Sequence, residues 1–506
     1  MPRQHPGRVG DGRPDALRGG PGARRPGCRA RGAVHRRPAD EHAGGPGRRG
    51  GGRALAGRRR LPPCHRHHPD RRRRLLGPVT PVDTSGPLHA ERRAATATER
   101  QFWFAERIAP GSPAWRVLST VRIDGPPDRE ALAAAAARVV ARHPALRSVF
   151  APADGELWCA TVPPAEPPLL ELPPGTAFDA AARELARTGL LDPGTGRHVV
   201  LALTEDPGDA PGTTLYVLTH HLVYDGLSHE VFTADLARAH ARVVAGEPEP
   251  APLARTVPRP PDAVRRDELA AYWRTALDGV PDLPGDDDGP TQRELARTEP
   301  HGHVVRFPDG VGAAVREAAR RLACPPFAVL LTAYAQALHD LCGAEDFCIG
   351  TPVSTRTPEL EDAIGCLLTT LPVRIRLPAA ADACERTWTT FTDGLFHMDL
   401  PQDDLVRAVR TRPGRRMPLY QALFAYESWP RPVHDAGPVR MRTEPVTPLG
   451  TQAEVLFQLN ELPGRRLEGM LQAPAGGFWA GCLAKLSDAI EHRLALLTTT
   501  TEEIAR

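Results

Sequence analysis

Hydrophobic and polar positions alternate in two distinct rhythms along this 506-residue chain. Asp128–His143 (DREALAAAAARVVARH) reads as an Ala-rich helix, capped by Asp128 and stopped before Pro144. Thr213–His221 (TTLYVLTHH) reads as a strand of β-branched and aromatic residues. Ser228–Val244 returns to helical spacing, with Ser228 as its N-cap and Gly246 just past its end. The Pro-rich stretch 247–262 (EPEPAPLARTVPRPPD) looks like a crossover between lobes. Beyond it, the pattern predicts a short helix over Glu268–Leu277, a polar loop over Gly285–Gln292 and a strand over His303–Phe307. Two helices, Val311–Ala323 and Phe327–Leu341, are parted by Pro325–Pro326. Strands follow at Phe347–Gly350 and Leu371–Leu377, and a last helix at Phe478–Leu496. Elements alternating in two similar-sized halves predict a two-lobed α/β protein, with a first lobe over 84–262 and a second over 263–506.

Composition separates off the N-terminal end. Residues 1–78 hold 21 Arg, no Lys and five acids, a formal +16, and contain no Phe, Trp or Tyr. Such a segment buries too little apolar surface to offset its ordering entropy. Residues 1–83 are therefore expected to be an Arg/Gly/Pro-rich leader outside the fold. Three readings stand: a disordered tail, a basic arm for nucleic acid or membrane, or sequence read upstream of the true start. In the last case Val79 is the alternative start, if encoded by GTG.

The remaining residues hold 43 bases against 56 acids, a formal −13. That argues against nucleic-acid binding by the folded part. No stretch approaches the roughly 18 apolar residues of a membrane helix, and no signal segment opens the chain. The nine cysteines form no C-x-x-C pair, which fits idle thiols in a reducing compartment. A cytoplasmic monomer is expected.

Candidate chemistry lies in Thr219–Ser228 (THHLVYDGLS). On a strand, His220 shares a face with Tyr216 and Leu218, and His221 shares the other with Leu215, Val217 and Thr219. Diverging imidazoles suit different tasks and hold one metal poorly; no third ligand stands at a usual spacing, so no metal is expected. Asp225 and Gly226 mark a turn, the acid free to orient a histidine or pair with an arginine, the glycine allowing close backbone approach. A histidine near its ordinary pKa of about 6.5 can take or guide a proton from an attacking amine or hydroxyl. Two histidines at a strand end are also, as often, ordinary satisfied polar residues.

The chain resembles the condensation domains of nonribosomal peptide synthetases, relatives of chloramphenicol acetyltransferase. Seven segments carry the resemblance in order from about Thr96. Thr98–Ile108 (TERQFWFAERI) is similar to the opening S-x-A-Q-x-R-L-W motif, and Arg142–Phe150 (RHPALRSVF) to R-H-x-x-L-R-x-x-F. His220–Ser228 matches H-H-x-x-x-D-G-x-S at every fixed position. Leu269–Leu277 (LAAYWRTAL), Gly350–Arg356 (GTPVSTR), Ile364–Arg374 (IGCLLTTLPVR) and Met417–Phe424 (MPLYQALF) resemble the later motifs.

The resemblance implies two acetyltransferase-like lobes forming a V-shaped pseudo-dimer, with the active site in a tunnel between them. It implies no bound cofactor. Substrates would arrive as thioesters on the phosphopantetheine of donor and acceptor carrier proteins, and an amine would attack the donor to form an amide. His221 matches the catalytic histidine, acting as base or positioning group. His220 is expected to be structural, and Asp225 to pair with Arg356. Arg142 and Arg147 would hold the lobe together. Ser228 would line the tunnel or cap a helix; Thr369 is a second candidate for the lining.

The chain also departs from the family pattern. Thr369 stands where Asn is usual, and Leu367 where Phe is usual. His397–Asp404 only faintly echoes H-Q-D-x-P-F-E, and Glu454–Leu456 replaces the F-D-L element. The histidine motif excludes the heterocyclising relatives, which carry D-x-x-x-x-D. Nothing resembles an adenylation loop, a carrier serine or a thioesterase G-x-S-x-G, so a freestanding enzyme meeting carriers in trans is expected. Two alternatives remain: an ester-forming or acyl-CoA-using relative, and an inactive scaffold that binds carriers.

Overall fold

The computed structural model describes residues 92–206, 212–248, 251, 253, 257–286, 289–377, 382–409 and 416–499. The leader, Val79 as a start, Cys28, Cys64 and parts of the Pro-rich crossover lie outside the described residues.

Two sheets organise the fold. The first runs in the order His434–Asp435, Arg440–Thr443, Arg116–Asp124, Gly212–His220, Val199–Glu205, Leu169–Glu171; Thr447–Pro448 also pairs with Arg116–Asp124. The strand Gly212–His220 is buried on both faces, and its alternation explains why. Leu215 and Val217 pack with Leu132 and Val139 of helix Arg129–Arg142 and with Phe232 and Leu236 of helix Gly226–Val244. Tyr216 and Leu218 pack on the other side with Ala181 and Leu185 of helix Phe178–Thr188.

Helix Arg129–Arg142 begins where expected. Asp128 accepts hydrogen bonds from the Glu130 and Ala131 amides, and the chain turns extended at His143, ahead of Pro144.

The second sheet runs in the order Leu368–Arg376, Asp346–Ser354, Ala422–Glu427, Val455–Leu462, Arg466–Pro474, Pro300–Arg306. Helices Val311–Arg321, Pro326–Cys342, Ala383–Leu395 and Leu483–Thr498 pack onto it in one apolar cluster. Tyr334, Phe424 and Phe457 lie at its centre, with ring centroids 5.5 to 5.8 Å apart.

Several boundaries move. The expected Phe347–Gly350 strand extends to Asp346–Ser354, because its polar end pairs with Leu368–Thr370. The helix expected at Glu268–Leu277 begins at Ala263, since Asp262 caps it by accepting from the Arg265 amide. The division at residue 262 does not separate the sheets either. Residues 434–448 belong to the second half, yet they join the first sheet: Arg440–Thr443 and Thr447–Pro448 pair with Arg116–Asp124, and His434–Asp435 pair with Arg440–Thr443. Met441 is fully buried in the first half's core, which holds this excursion in place.

The described cysteines, Cys159, Cys324, Cys342, Cys348, Cys366, Cys384 and Cys482, are all free thiols. Among the described residues no single helix is long and apolar enough to cross a membrane. Val311–Arg321 and Pro326–Cys342 together reach the length, but they are bent by 104°.

Met441→Ala should remove a buried anchor of the first core that the second half supplies. A loss of about 2–5 kcal/mol in urea unfolding is expected. A loss under 0.5 kcal/mol would show that the excursion is not integral to the first sheet.

Candidate active site

The strand Gly212–His220 ends at His220, so His221 is the first residue of the turn that follows, not the last of the strand. The turn closes through the Val223 amide, which donates to the His220 carbonyl (3.1 Å), while the His221 amide donates to the Trp115 carbonyl (2.8 Å). The two histidines are fixed in opposite tautomers. At His220, Nδ1 accepts from the Leu222 amide (3.0 Å), so the proton sits on Nε2, which donates to Glu106 Oε2 (3.2 Å). At His221, Nδ1 lies 2.9 Å from the Tyr224 carbonyl oxygen. A carbonyl only accepts, so Nδ1 carries the proton and Nε2 keeps its lone pair.

Burial lowers the His221 pKa below its ordinary 6.5, against the opposing pull of Asp225. The ring is therefore neutral at neutral pH. It stacks on Phe102, with centroids 4.6 Å apart and planes 15° apart. His221 borders a cavity of about 250 Å³ that opens to solvent. The walls come from both halves: Phe102, Trp115, His221 and Gly226 from the first, Thr369, Glu427 and Trp429 from the second.

Asp225 is buried, and its carboxylate is fully occupied. Oδ1 accepts from the Ser228 amide (2.8 Å) and Arg356 Nη2 (2.9 Å); Oδ2 accepts from Arg356 Nη1 (2.7 Å) and the Leu367 amide (2.9 Å). Asp225, not Ser228, is thus the N-cap of helix Gly226–Val244. Ser228 falls in the first turn and is fully buried. Its hydroxyl accepts from Arg356 Nη2 and the Gly365 amide, so it sits behind the site and does not line the cavity. Thr369 does line it, as do Leu367 and Leu456.

Gly226 is the first helical residue. A Cβ there would lie 3.3 Å from the Trp429 ring and 3.5 Å from Glu427 Oε1, so a side chain would press into the cavity wall. Arg142 donates to Asp235 (3.0 Å) and Arg147 to the Val162 carbonyl (2.8 Å); neither borders the cavity.

Phe102, Glu427 and Trp429 in the wall, and Cys366 beside His221, escaped the sequence reading. Cys366 Sγ lies 3.8 Å from His221 Nδ1, and burial raises its thiol pKa well above the ordinary 9. Glu427 accepts from Gln458 (3.1 Å) and Arg431 (3.0 Å). Burial pushes its pKa up to about 7; Arg431 pulls down and Glu230 pushes further up. An acid ending an apolar strand (ALFAYE) is the signal that could have found it. Among the described residues no group of three or more His, Cys, Asp or Glu side chains could hold a metal ion.

Residues 91–443 match the family model described as the condensation domain. The chain belongs to the condensation domain family. It is 34% identical over 373 residues to phosphinothricin tripeptide synthetase PhsC of Streptomyces viridochromogenes, covering 68% of this chain and 33% of PhsC. The chain therefore spans about a third of that relative's length. Among solved structures, the first condensation domain of the calcium-dependent antibiotic synthetase, in complex with a substrate analogue, aligns with a TM-score of 0.65 and 20% identity, covering 81% of this chain and 96% of that one. The X-domain in complex with OxyB from teicoplanin biosynthesis aligns at 0.65 and 22%, covering 81% and 94%. The fold is that of condensation domains: two chloramphenicol-acetyltransferase-like α/β lobes in a V-shaped pseudo-dimer.

Two predictions follow from this geometry. Asp225→Ala should leave Arg356 buried without its partner and destabilise the protein by about 3–5 kcal/mol. Pairing it with Arg356→Leu should cost much less than the sum of the two single changes. Additive losses in urea unfolding would rule out the coupling.

The second concerns Glu427. Its folded-state pKa of about 7 lies above its ordinary 4.5, so the folded protein binds the extra proton between those values. Its contribution to stability thus grows as pH falls from 7 to 4.5. His229, buried neutral with a pKa lowered to about 4, acts in the opposite direction and is common to wild type and variant. Between pH 7.5 and 5, wild type should gain on the order of 2 kcal/mol relative to Glu427→Gln. Parallel stability curves would contradict the raised pKa.

Proposed function

We propose that this condensation domain joins a carrier-bound acyl or aminoacyl thioester to an amine, forming an amide, with His221 as the group that receives the proton. The observation carrying this reading is the His221 imidazole. It is neutral, held in the Nδ1–H tautomer by the Tyr224 carbonyl, clamped by Phe102, and set at the cavity wall. No protein partner engages Nε2 among the described residues, so its lone pair serves the substrate. The relationship to a tripeptide synthetase supports the amide product and the carrier-borne phosphopantetheine substrates.

The amine nitrogen attacks the thioester carbonyl carbon while Nε2 takes the amine proton. The C–N bond forms, the C–S bond breaks, and the proton passes from Nε2 to the departing thiolate. A base already deprotonated at neutral pH needs no activation by a second group. Asp225 plays no part in proton transfer, because its lone pairs are committed to Arg356, Ser228 and Leu367. His220, bonded to Glu106 on one side and the Leu222 amide on the other, holds the turn. Gly226 keeps the wall open beside Trp429.

The test uses the purified full chain, an acyl-loaded carrier protein, and panels of amines and alcohols, with product masses read directly. Amide products support the reading, and ester products alone move the chain to the ester-forming class. Carrier binding without any product would make it a scaffold. His221→Ala should lose about 10²–10⁴ in turnover with its unfolding midpoint retained. Because burial lowers the His221 pKa, wild-type kcat/KM expressed per unprotonated amine should stay flat down to about pH 6.5 and fall only below it. A folded His221→Ala protein with wild-type turnover would dismiss the assignment.

A further inference from the structure

Arg116 opens the strand Arg116–Asp124 and stands directly opposite His220 in the register. On its other edge the strand meets Thr447–Pro448, which pair with Leu118 and Val117. Arg116 therefore sits beside the histidine turn, next to the Trp115 carbonyl that receives the His221 amide. Arg116 is among the residues that line the same cavity as His221.

Arg116 forms no ion pair among the described residues, and its Nε is shut away from solvent without a hydrogen-bond partner. The other arginine bordering the cavity, Arg356, is committed to Asp225. Glu106 is the acid whose charge reaches Arg116, but its carboxylate is already engaged. Oε1 accepts from the Gly111 amide (2.8 Å) and Oε2 from His220 (3.2 Å). Burial lowers the Arg116 pKa, with Glu106 opposing. A guanidinium does not lose its proton in a protein, so it keeps the desolvation cost until an anion meets it. Gly111, at φ +73°, lies against the guanidinium: a Cβ there would stand 3.4 Å from Arg116 Nη2.

We propose that Arg116 is an oxyanion-binding residue of the reaction cavity, taking a carboxylate or phosphate group carried by the substrate. A planar guanidinium with its fork unoccupied matches either group. The proposal rests on the thioester reading above and adds a charge requirement to it. The oxyanion has two sources, a carboxylate on the acyl group or the phosphate of the pantetheine arm.

Three probes separate them: S-octanoyl-pantetheine, its 4′-phosphate, and the pantetheine thioester of octanedioic acid with its far carboxylate free. Binding to the full chain is read by titration calorimetry, with no turnover required. Wild type should bind one or both charged probes about tenfold or more tightly than the neutral one, the scale of a charge-assisted hydrogen bond. The preferred probe identifies the source. Arg116→Gln should bring the preference close to one, and Arg116→Lys should keep part of it. Equal binding of all three probes by wild type overturns the proposal, as does a preference undiminished in Arg116→Gln. The wild-type comparison stands however well the variants fold. Failure of wild type to bind any probe would instead overturn the thioester reading, and this inference with it.

Discussion

The buried fork between Asp225 and Arg356 is the constraint that the rest of the site depends on. It is one carboxylate with three simultaneous tasks. It caps the helix Gly226–Val244, holds an arginine from the loop after strand Asp346–Ser354, and receives the Leu367 amide at the head of another strand. The first half's histidine turn and the second half's cavity wall are thereby held in one register. Burying two charges is costly in itself, and the cost is offset here only because every lone pair of Asp225 is used. The same saturation leaves no lone pair of Asp225 free, while the neutral His221 imidazole beside it keeps the Nε2 lone pair unengaged among the described residues.

Much of this was legible in the residues. Asp128 capping a helix, the apolar alternation of Thr213–His221 and the paired prolines at 325–326 are local signals, and the elements formed where those signals stood. The pairing of Asp225 with Arg356 came from the resemblance to a family; spacing alone does not join residues 131 apart. What could not be read locally depended on contacts distant in the chain. The role of N-cap passed from Ser228 to Asp225 because the turn before the helix is tied down at His220 and Trp115. Glu427 and Arg116 look like ordinary strand-end charges in the sequence. Only the assembled structure makes one a buried acid and leaves the other with no ion pair among the described residues.

The departures from the family pattern fall in an informative place. Of the departures, Leu367 and Thr369 border the cavity, while His397–Asp404 and Glu454 do not; the histidine turn and its supporting contacts carry every fixed residue of the motif. The histidine turn holds the family motif intact, while side chains such as Thr369, Glu427 and Trp429 from the second half shape the cavity beside it.

The excursion of residues 434–448 into the first sheet makes the two halves inseparable as cassettes. Any recombinant that exchanges the second half brings a foreign edge to the first half's sheet, including a foreign residue at the site of Met441. Crossover points that look natural in the Pro-rich linker thus cut through a shared core. A chimera that respects the packing would carry the strand segment 434–448 with the first half, joined at the loops on either side of it.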